Sequence, residues 1–304
     1  MAATNRMCLR PSAVRSQNSK LETTCPGRSF RLLWYTLHHM IIDGRALAGA
    51  IVTALRNETA AMAGLPLLTV FTCAPNFETK KFLDLKTKRA AEAGISVSVI
   101  ELPPNVTMEQ VTTAINQSKA MSDGIIIQFP FPHIATKDLI ALIPPELDVD
   151  VTHYDGQTDG LLPPVVGAIA EISQAHAIDW VGKSVVVVGN GRLVGAPAAQ
   201  YATSLGANVT VVTKDSNNLA ATKDADILIL GAGSPGLLTP EMVKAGAVVL
   251  DAGTSEEGGM LVGDAHPLVA ARASLFTPVP GGIGPLTIAI LLKNVLYLAK
   301  QHRK

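Results

Sequence analysis

The chain has 304 residues, of which 48% are hydrophobic and 16% charged, a composition that excludes a disordered chain and allows a sizeable core. Its 25 basic residues balance its 25 acidic residues, so no charge excess points to nucleic acid or a membrane surface as a partner. No uninterrupted apolar run reaches the roughly 18 residues of a membrane span. The three cysteines are too few for a disulfide framework, which favours a cytoplasmic location, and neither they nor the seven histidines have metal-ligand spacing.

The first 39 residues differ in composition from the rest of the chain. They contain five arginines but a single acid, Glu22, and show no clear periodicity. Such a leader resembles an organelle transit peptide, although it lacks a convincing amphipathic helix. We therefore interpret residues 1–39 as an extension outside the fold, and expect a chain that begins at Met40 to fold and keep full activity.

From Met40 onward, helical periodicity alternates with short apolar runs. The pattern predicts helices at 46–62, 78–92 and 108–120, and strands at 67–72, 96–101 and 124–128. Parallel strands need crossover connections of about this length, so the alternation predicts a parallel sheet.

A stretch rich in Pro, Asp and Gly at 144–164 indicates a linker or an active-site loop. Beyond it the pattern predicts strands at 184–188, 208–212, 226–230 and 247–251, and helices at 193–205 and 285–300. We therefore predict two α/β domains, with a cleft between them. The first comprises residues 40–164 and 285–304, because the last helix can pack back on it, and the second comprises residues 165–284.

A glycine-rich segment, GKSVVVVGNGRLVGAP, occupies residues 182–197. It consists of a buried strand, a turn with Gly189 and Gly191, and a helix that begins near Leu193. Glycines let the backbone approach a pyrophosphate closely, and the helix start offers free N–H groups and its positive dipole end. This context predicts a Rossmann-type dinucleotide-binding domain; the alternative is a purely structural turn between strand and helix.

The residue that recognises the cofactor's ribose should follow the second strand of that domain, about 20 residues after the turn. Thr213, Lys214, Asp215 and Ser216 occupy this region. Lys214 would neutralise a 2′-phosphate, whereas Asp215 would bind free ribose hydroxyls. The sequence therefore favours NADP and leaves NAD possible.

Near the C-terminus, TPVPGGIGPLT at 277–287 resembles the PVPGGVGPxT signature of the bifunctional methylenetetrahydrofolate dehydrogenase/cyclohydrolase family, with Ile283 in the valine position. Two glycines between prolines give a rigid bend with bare backbone, suited to contact with a flat ligand. Further segments resemble family landmarks in the same order: MIIDGRALA at 40–48, GIIIQFPFP at 124–132, LDVDV at 147–151, GNGRLVGAP at 189–197 and LVGDAH at 261–266. The resemblance thus covers nearly the whole chain except the leader.

The resemblance implies a role for particular residues. Lys86, eight residues before Gly94, matches the family's catalytic lysine, which Gln128 would orient, and Asp150 matches the carboxylate that holds the pterin. Without the resemblance, Lys86 would be interpreted as a surface lysine. The remaining implied residues bind substrate (Phe82, Pro280, Gly281 and Gly282) or cofactor (Gly189, Asn190, Gly191, Arg192, Leu193, Lys214, Gly253 and Thr254).

The chain also departs from the family pattern. Phe82 replaces the tyrosine of the Tyr-x-x-x-Lys motif, Val151 replaces a glycine, Asn190 stands where many members carry arginine, and LPPVVG at 162–167 replaces PCTPxG. These changes bear on proton transfer and cofactor preference. Two alternatives therefore stay open: a monofunctional dehydrogenase, and a catalytically silent folate- or nucleotide-binding protein.

The activity implied is oxidation of 5,10-methylenetetrahydrofolate to the methenyl form with NADP, followed by hydrolysis to 10-formyltetrahydrofolate. The resemblance further implies a cytoplasmic homodimer of one-carbon metabolism that serves purine biosynthesis and needs no metal. Hydrolysis requires proton transfer, which a lysine provides near pH 7 only if burial or a neighbouring charge lowers its pKa.

Overall fold

The computed structural model describes residues 40–158, 160–214 and 218–303. The leader at 1–39 and two of the candidate ribose-recognition residues, Asp215 and Ser216, lie outside the described residues. Over the described ranges the chain forms two parallel sheets with helices around them, which confirms the predicted α/β class.

The first part of the chain builds a three-stranded sheet and its helices. In chain order the elements are β1 Met40–Ile41, α1 Gly44–Thr59, β2 Leu67–Cys73, α2 Phe77–Glu92, β3 Ser96–Leu102, α3 Met108–Ser118, β4 Gly124–Gln128 and α4 Thr136–Ile140. Strands β3, β2 and β4 lie in that order and are parallel, as the crossover argument predicts. Side chains fix the helix starts: the Asp43 carboxylate accepts hydrogen bonds from Arg45 and Ala46, and Asn76 caps α2.

The second part builds a larger sheet. Its elements are α5 Pro164–Ala175, β5 Ser184–Val188, α6 Gly195–Ser204, β6 Asn208–Val212, β7 Ile227–Leu230, β8 Val248–Asp251, β9 Ser255–Glu257, β10 Met260–Val262, β11 Leu275–Phe276 and α7 Ile283–His302. The strand order is β1-β11-β8-β7-β5-β6, all parallel, and β9 and β10 form a separate antiparallel hairpin. From β5 the chain first adds β6 on one side and then β7 on the other. Ligands of doubly wound sheets bind at such a switch point, beyond the carboxyl end of the strand.

Helix α7 is a core helix that joins the two parts. It packs against α1, α2 and α5 and also contacts β2 and β4. Among the described residues, α7 alone is long and apolar enough to cross a membrane, but two thirds of its apolar span is buried inside the protein. Its hydrophobicity is thus explained by the core that it fills.

Several short elements were not predicted from the sequence. Helix α5 begins where the sequence only indicated a domain start, and β1, β11, α4 and the β9–β10 hairpin carry too few residues to show a period. Strand β1 pairs with β11, so Met40 and Ile41 belong to the larger sheet although the predicted first domain begins with them. The predicted division into two domains, 40–164 with 285–304 and 165–284, stays a prediction.

Candidate active site

A cavity of about 590 Å³ lies where β4 and the turn after β5 face each other. Both parts of the chain line it: Lys86, Gln128 and Asp150 come from the first, and Arg192 and Leu193 from the glycine-rich turn of the second. The three predicted catalytic residues therefore surround one space, although α2, β4 and the loop after residue 147 contribute one each.

Lys86 and Gln128 form the central contact of the cavity. The Lys86 ammonium donates a 2.7 Å hydrogen bond from Nζ to Oε1 of Gln128. Gln128 ends β4, while Lys86 lies in the middle of α2, the crossover helix that leads to β3. The bond gives the half-buried ammonium a defined direction, which a solvated surface lysine would lack.

Burial shifts the pKa values of the two ionisable groups Lys86 and Asp150 in opposite directions. Burial lowers the pKa of Lys86, and the charge of Asp150 partly opposes that change. Burial raises the pKa of Asp150; Lys86 and Arg192 counteract this rise, and Asp148 adds to it. The pKa of the ammonium and that of the carboxyl thus move toward each other, a pattern common where proton transfer takes place.

The loop that carries Asp150 is held on both sides. The Asn294 side-chain amide, buried on α7, donates 2.9 Å hydrogen bonds to the carbonyls of Val149 and Leu162. Within the loop, the Asp148 carboxylate accepts from the Thr152 backbone at 2.7 Å. Between these anchors Val151 has a φ of 51°, in the left-handed region that favours glycine. The valine therefore occupies a strained position where the family pattern has glycine.

The turn after β5 fits a dinucleotide. Gly189 has a φ of 100°, and a Cβ there would lie 2.5 Å from the Gly231 carbonyl oxygen. A Cβ at Gly195 would lie 2.1 Å from the Gly189 oxygen, whereas Gly191 faces open space. Helix α6 begins at Gly195 without a side-chain cap. The Ala196 N–H donates to the Gly191 carbonyl at 3.1 Å and Pro197 has no N–H, so Gly195 is the residue of this first turn that can offer its N–H to a phosphate.

Arg192 belongs to the glycine-rich turn and is predicted to bind the cofactor. It lines the cavity together with Lys86 and Asp150. Its guanidinium carbon lies 5.9 Å from the centroid of the Phe129 ring, within range of a cation–π contact. Arg192 thus links the glycine-rich turn to the strand end that carries Gln128.

Other predicted site residues do not line the cavity. Phe82, on the same helix as Lys86, is 49% exposed. Lys214 follows β6 and is exposed, and Gly253 and Thr254 follow β8, at the same sheet edge as the glycine-rich turn.

The Pro280–Gly282 bend contacts the start of α1. The Gly281 carbonyl accepts a 2.9 Å bond from the Gly44 N–H, and a Cβ on Gly44 would lie 1.8 Å from the Gly282 oxygen. Position 44 therefore has room for glycine only, because the bend lies directly against it. Pro280, Gly281 and Gly282 do not line the cavity; from this region of the chain, Thr287, Ile288 and Leu291 of α7 do.

Sequence reasoning missed other lining residues, including Phe129, Thr152, Tyr154 and Gln200. Tyr154 donates a 2.5 Å bond to the Gln157 carbonyl, and burial raises its pKa to about 12. The proline- and glycine-rich loop gave the one usable signal, because 144–164 was interpreted as a possible active-site loop.

A lysine and a carboxyl group across a cleft from an open glycine-rich turn define a dinucleotide-dependent enzyme of α/β architecture. Comparison with known families agrees. Residues 42–150 match the catalytic domain of tetrahydrofolate dehydrogenase/cyclohydrolase, and residues 163–303 match its NAD(P)-binding domain. The chain belongs to the tetrahydrofolate dehydrogenase/cyclohydrolase family.

Individual relatives support the assignment over their full length. The chain is 35% identical over 280 residues to the bifunctional protein FolD of Wolinella succinogenes, covering 87% of this chain and 98% of that protein. The solved structure of the bifunctional FolD enzyme from Campylobacter jejuni matches with a TM-score of 0.83 at 32% identity, covering 86% of this chain and 99% of that one. FolD of Trypanosoma brucei, solved with NADP and an inhibitor, matches with a TM-score of 0.80 at 33% identity, covering 87% and 98%.

Proposed function

We propose that the protein oxidises 5,10-methylenetetrahydrofolate to 5,10-methenyltetrahydrofolate with NADP and then hydrolyses the product to 10-formyltetrahydrofolate. The observation that carries the proposal is the Lys86–Gln128 hydrogen bond of 2.7 Å in a cavity shared with Asp150 and the cofactor turn. Relatives of this chain bear both activities in their names, as bifunctional dehydrogenase/cyclohydrolases.

In the first reaction the substrate's methylene carbon gives up a hydride and becomes a methenyl cation. NADP supplies the nicotinamide ring that accepts the hydride. The protein's part is to align the two rings, because hydride transfer needs no acid or base at the reacting carbon. Asp150 would hold the pterin through paired hydrogen bonds, and Gly189, Gly191 and the start of α6 would hold the cofactor phosphates.

In the second reaction water adds to the methenyl carbon and loses both of its protons as the formyl C=O forms. One proton goes to N5, whose bond to that carbon breaks, and the other is released to solvent. Lys86 moves these protons, since burial brings its pKa down toward neutrality. Gln128 accepts from the ammonium and keeps Nζ directed into the cavity. The Phe82 ring lies outside the cavity lining, so its missing hydroxyl gives no reason to favour a monofunctional dehydrogenase.

The proposal includes three features drawn from the family resemblance. These are a cytoplasmic location, a homodimer, and a role in supplying formyl groups to purine biosynthesis. Sedimentation of the purified protein tests the homodimer directly, since a monomer would have a mass of 31.9 kDa.

The test of the activity is a two-step assay. Methylenetetrahydrofolate is supplied with NADP or NAD in parallel, and reduced cofactor and methenyl absorbance are followed separately. We expect reduced cofactor to form while the methenyl absorbance stays low, because the second step consumes the intermediate. Formation of reduced cofactor with full accumulation of methenyltetrahydrofolate would contradict the second activity, and absence of both signals would contradict the first.

A further inference from the structure

Two buried carboxylates, Asp251 and Asp264, lie outside the catalytic cavity. Asp251 ends β8, Asp264 stands two residues after β10, and each is 1% exposed. Burying a carboxylate without hydrogen-bond partners costs free energy. The donors that bind Asp251 and Asp264 therefore show which segments of the chain these two residues hold in place.

Asp264 binds one turn. Its Oδ2 accepts from the backbone N–H groups of Ala232 at 2.6 Å and Gly233 at 3.2 Å, and its Oδ1 accepts from Ser234 at 2.7 Å. Three consecutive N–H groups directed at one carboxylate make an anion-binding turn, with the anion supplied by the protein itself.

Asp251 binds the segment that carries Asp264. Its Oδ1 accepts from Gly253 at 2.9 Å and from the Asp264 backbone at 3.3 Å, while Oδ2 accepts from Ala265 at 2.8 Å. The Asp251 backbone N–H donates at 2.6 Å to the Thr277 hydroxyl, at the start of the PVPGG segment. Asp251 therefore joins the hairpin end to the segment before α7.

Two glycines make room for the pair. A Cβ on Gly253 would lie 2.2 Å from Cγ of Asp264, and a Cβ on Gly263 would lie 2.3 Å from Oδ2 of Asp251. The Asp264 carboxylate thus occupies the space that a side chain at Gly253 would fill, and the Asp251 carboxylate occupies the space that a side chain at Gly263 would fill. This interlock gives a physical reason for the Asp-x-Gly at 251–253 and the Gly-Asp at 263–264.

The turn held by Asp264 supports the cofactor turn. Gly231 precedes it, and a Cβ on Gly189 would lie 2.5 Å from the Gly231 oxygen and 3.0 Å from the Ala232 nitrogen. A shift of the 232–234 turn would therefore change the close contact that its first residues make with Gly189. Gly253, which leads to Thr254, lies directly under the Asp264 carboxylate.

We infer that Asp264 is a positioning residue for the dinucleotide cofactor, kept in place by Asp251. It acts through the backbone of 232–234 and of Gly253 and leaves the folate side of the cavity unaffected. The inference rests on the proposed function in taking the glycine-rich turn at Gly189 as the cofactor site.

The test compares Asp264→Asn with the wild type in three measurements. Binding of NADPH without folate is followed by its fluorescence, the dehydrogenase reaction gives kcat and KM for NADP, and hydrolysis of supplied methenyltetrahydrofolate needs no cofactor. We expect Kd for NADPH and KM for NADP to rise about tenfold or more, as for the loss of one charge-assisted hydrogen bond. The hydrolysis rate should stay within about twofold, because Lys86 and Gln128 are untouched.

The matched control is Asp123→Asn. Asp123 is also a buried acid, accepting from the Leu67 backbone at 2.8 Å and from Arg303 at 2.7 Å, but it precedes β4, at the opposite end of that strand from Gln128. It should lower the unfolding midpoint without changing Kd for NADPH.

If Asp264→Asn does not fold, the same measurements are made on Asp251→Asn. This variant keeps the three hydrogen bonds that the 232–234 backbone donates to Asp264. We expect a smaller rise in Kd for NADPH and an unchanged rate of hydrolysis. Folded variants that bind NADPH with wild-type affinity would overturn the inference. A wild type that binds NADPH but oxidises no methylenetetrahydrofolate would contradict the proposed function instead.

Discussion

Lys86 and Gln128 are separated by 42 positions in the sequence, and their side chains meet at 2.7 Å in the cavity. The lysine comes from the helix that crosses between β2 and β3, and the glutamine from the last residue of β4. Strand β2 pairs with both β3 and β4, and α2 packs against β3, so the sheet sets the distance between the helix that carries Lys86 and the strand that carries Gln128. This pair is therefore the first target for mutation.

Lys86→Met keeps the aliphatic length but removes the proton-carrying group. We expect cyclohydrolase activity to fall by a factor on the order of 10² to 10⁴, the usual contribution of general acid–base catalysis. Some dehydrogenase activity should remain, so methenyl absorbance should accumulate during turnover. Lys88→Met, at an exposed lysine on the same helix, is the control and should behave as the wild type. Equal consumption of the intermediate by both variants would show that Lys86 is an ordinary surface lysine.

Phe82→Tyr restores the hydroxyl that the family motif carries one turn before the lysine. The Phe82 side chain is 49% exposed, so the added hydroxyl can be solvated and should cost little stability. We expect an unchanged unfolding midpoint and a hydrolytic rate equal to or above that of the wild type. A clear loss of hydrolysis would mean that the phenylalanine ring has an apolar role at the substrate site.

Lys214→Ala tests cofactor preference. Lys214 is exposed just after β6, where the 2′-substituent of the adenine ribose is expected, and Asn190 provides no positive charge of its own. Wild-type protein should use both cofactors with a modest preference for NADP. The variant should raise KM for NADP more than KM for NAD, whereas Lys223→Ala, at another exposed lysine, should change neither. Equal losses for NADP and NAD would show that Lys214 does not contact the 2′-phosphate.

Asn294→Leu removes the amide that bridges Val149 and Leu162. The buried carbonyl of Val149 and the partly buried carbonyl of Leu162 lose their donor, so the free energy of unfolding should fall by roughly 2 kcal/mol. The Asp150 loop should also loosen, which would raise KM for the folate substrate while KM for NADP changes less. Asn208→Leu, which removes one exposed bond to Gly182, serves as the comparison and should have a small effect. Wild-type stability of the Asn294 variant would rule out the bridging role.

Asp251 gives the stability a pH dependence of defined sign. Burial raises its pKa from 3.8 to about 7, with Asp264 adding to the rise against the backbone N–H groups that oppose it. At pH values between these two pKa values, Asp251 keeps its proton in the folded protein and loses it in the unfolded chain. The contribution of Asp251 to the free energy of unfolding therefore decreases as pH rises from about 4 to about 7, and it is constant above pH 7.

Asp251→Asn should therefore flatten that part of the stability curve, measured by denaturant unfolding across the window. Asp226 makes the opposite control, because hydrogen bonds from Lys244 and the Ser184 backbone lower its pKa. Asp226→Asn should remove a contribution that grows with pH. The same slope in the wild type and Asp251→Asn would contradict the assignment.

The sequence predicted the strands of five or more residues well and the shortest elements poorly. Strands β4, β5 and β6 have the predicted bounds, because each contains at least three consecutive β-branched residues. Strands β1 and β11 have two residues each and exist only because they pair with each other and with β8, a long-range relationship that no local period reveals.

The site was predicted in part. The resemblance identified Lys86, Gln128 and Asp150, and the structure brings them together around one cavity. It could not predict that Arg192 would face that cavity, because the direction of a loop side chain depends on the opposite wall, here the Phe129 ring. Nor could it predict the contact between Asp251 and Asp264. That contact forms because the segments on either side of the β9–β10 hairpin lie together, with each carboxylate against the other segment's glycine.

Helix α7, the last element of the chain, fills the core against α1, β2 and β4, which are among the first to be synthesised. On the ribosome, the small sheet must therefore wait for its cover until some 20 final helical residues have emerged. Strands β5 to β8, made in between, already have their sheet partners at that stage. We expect the site around Lys86 to be completed only once α7 has formed, because α7 also packs against α2, the helix that carries Lys86.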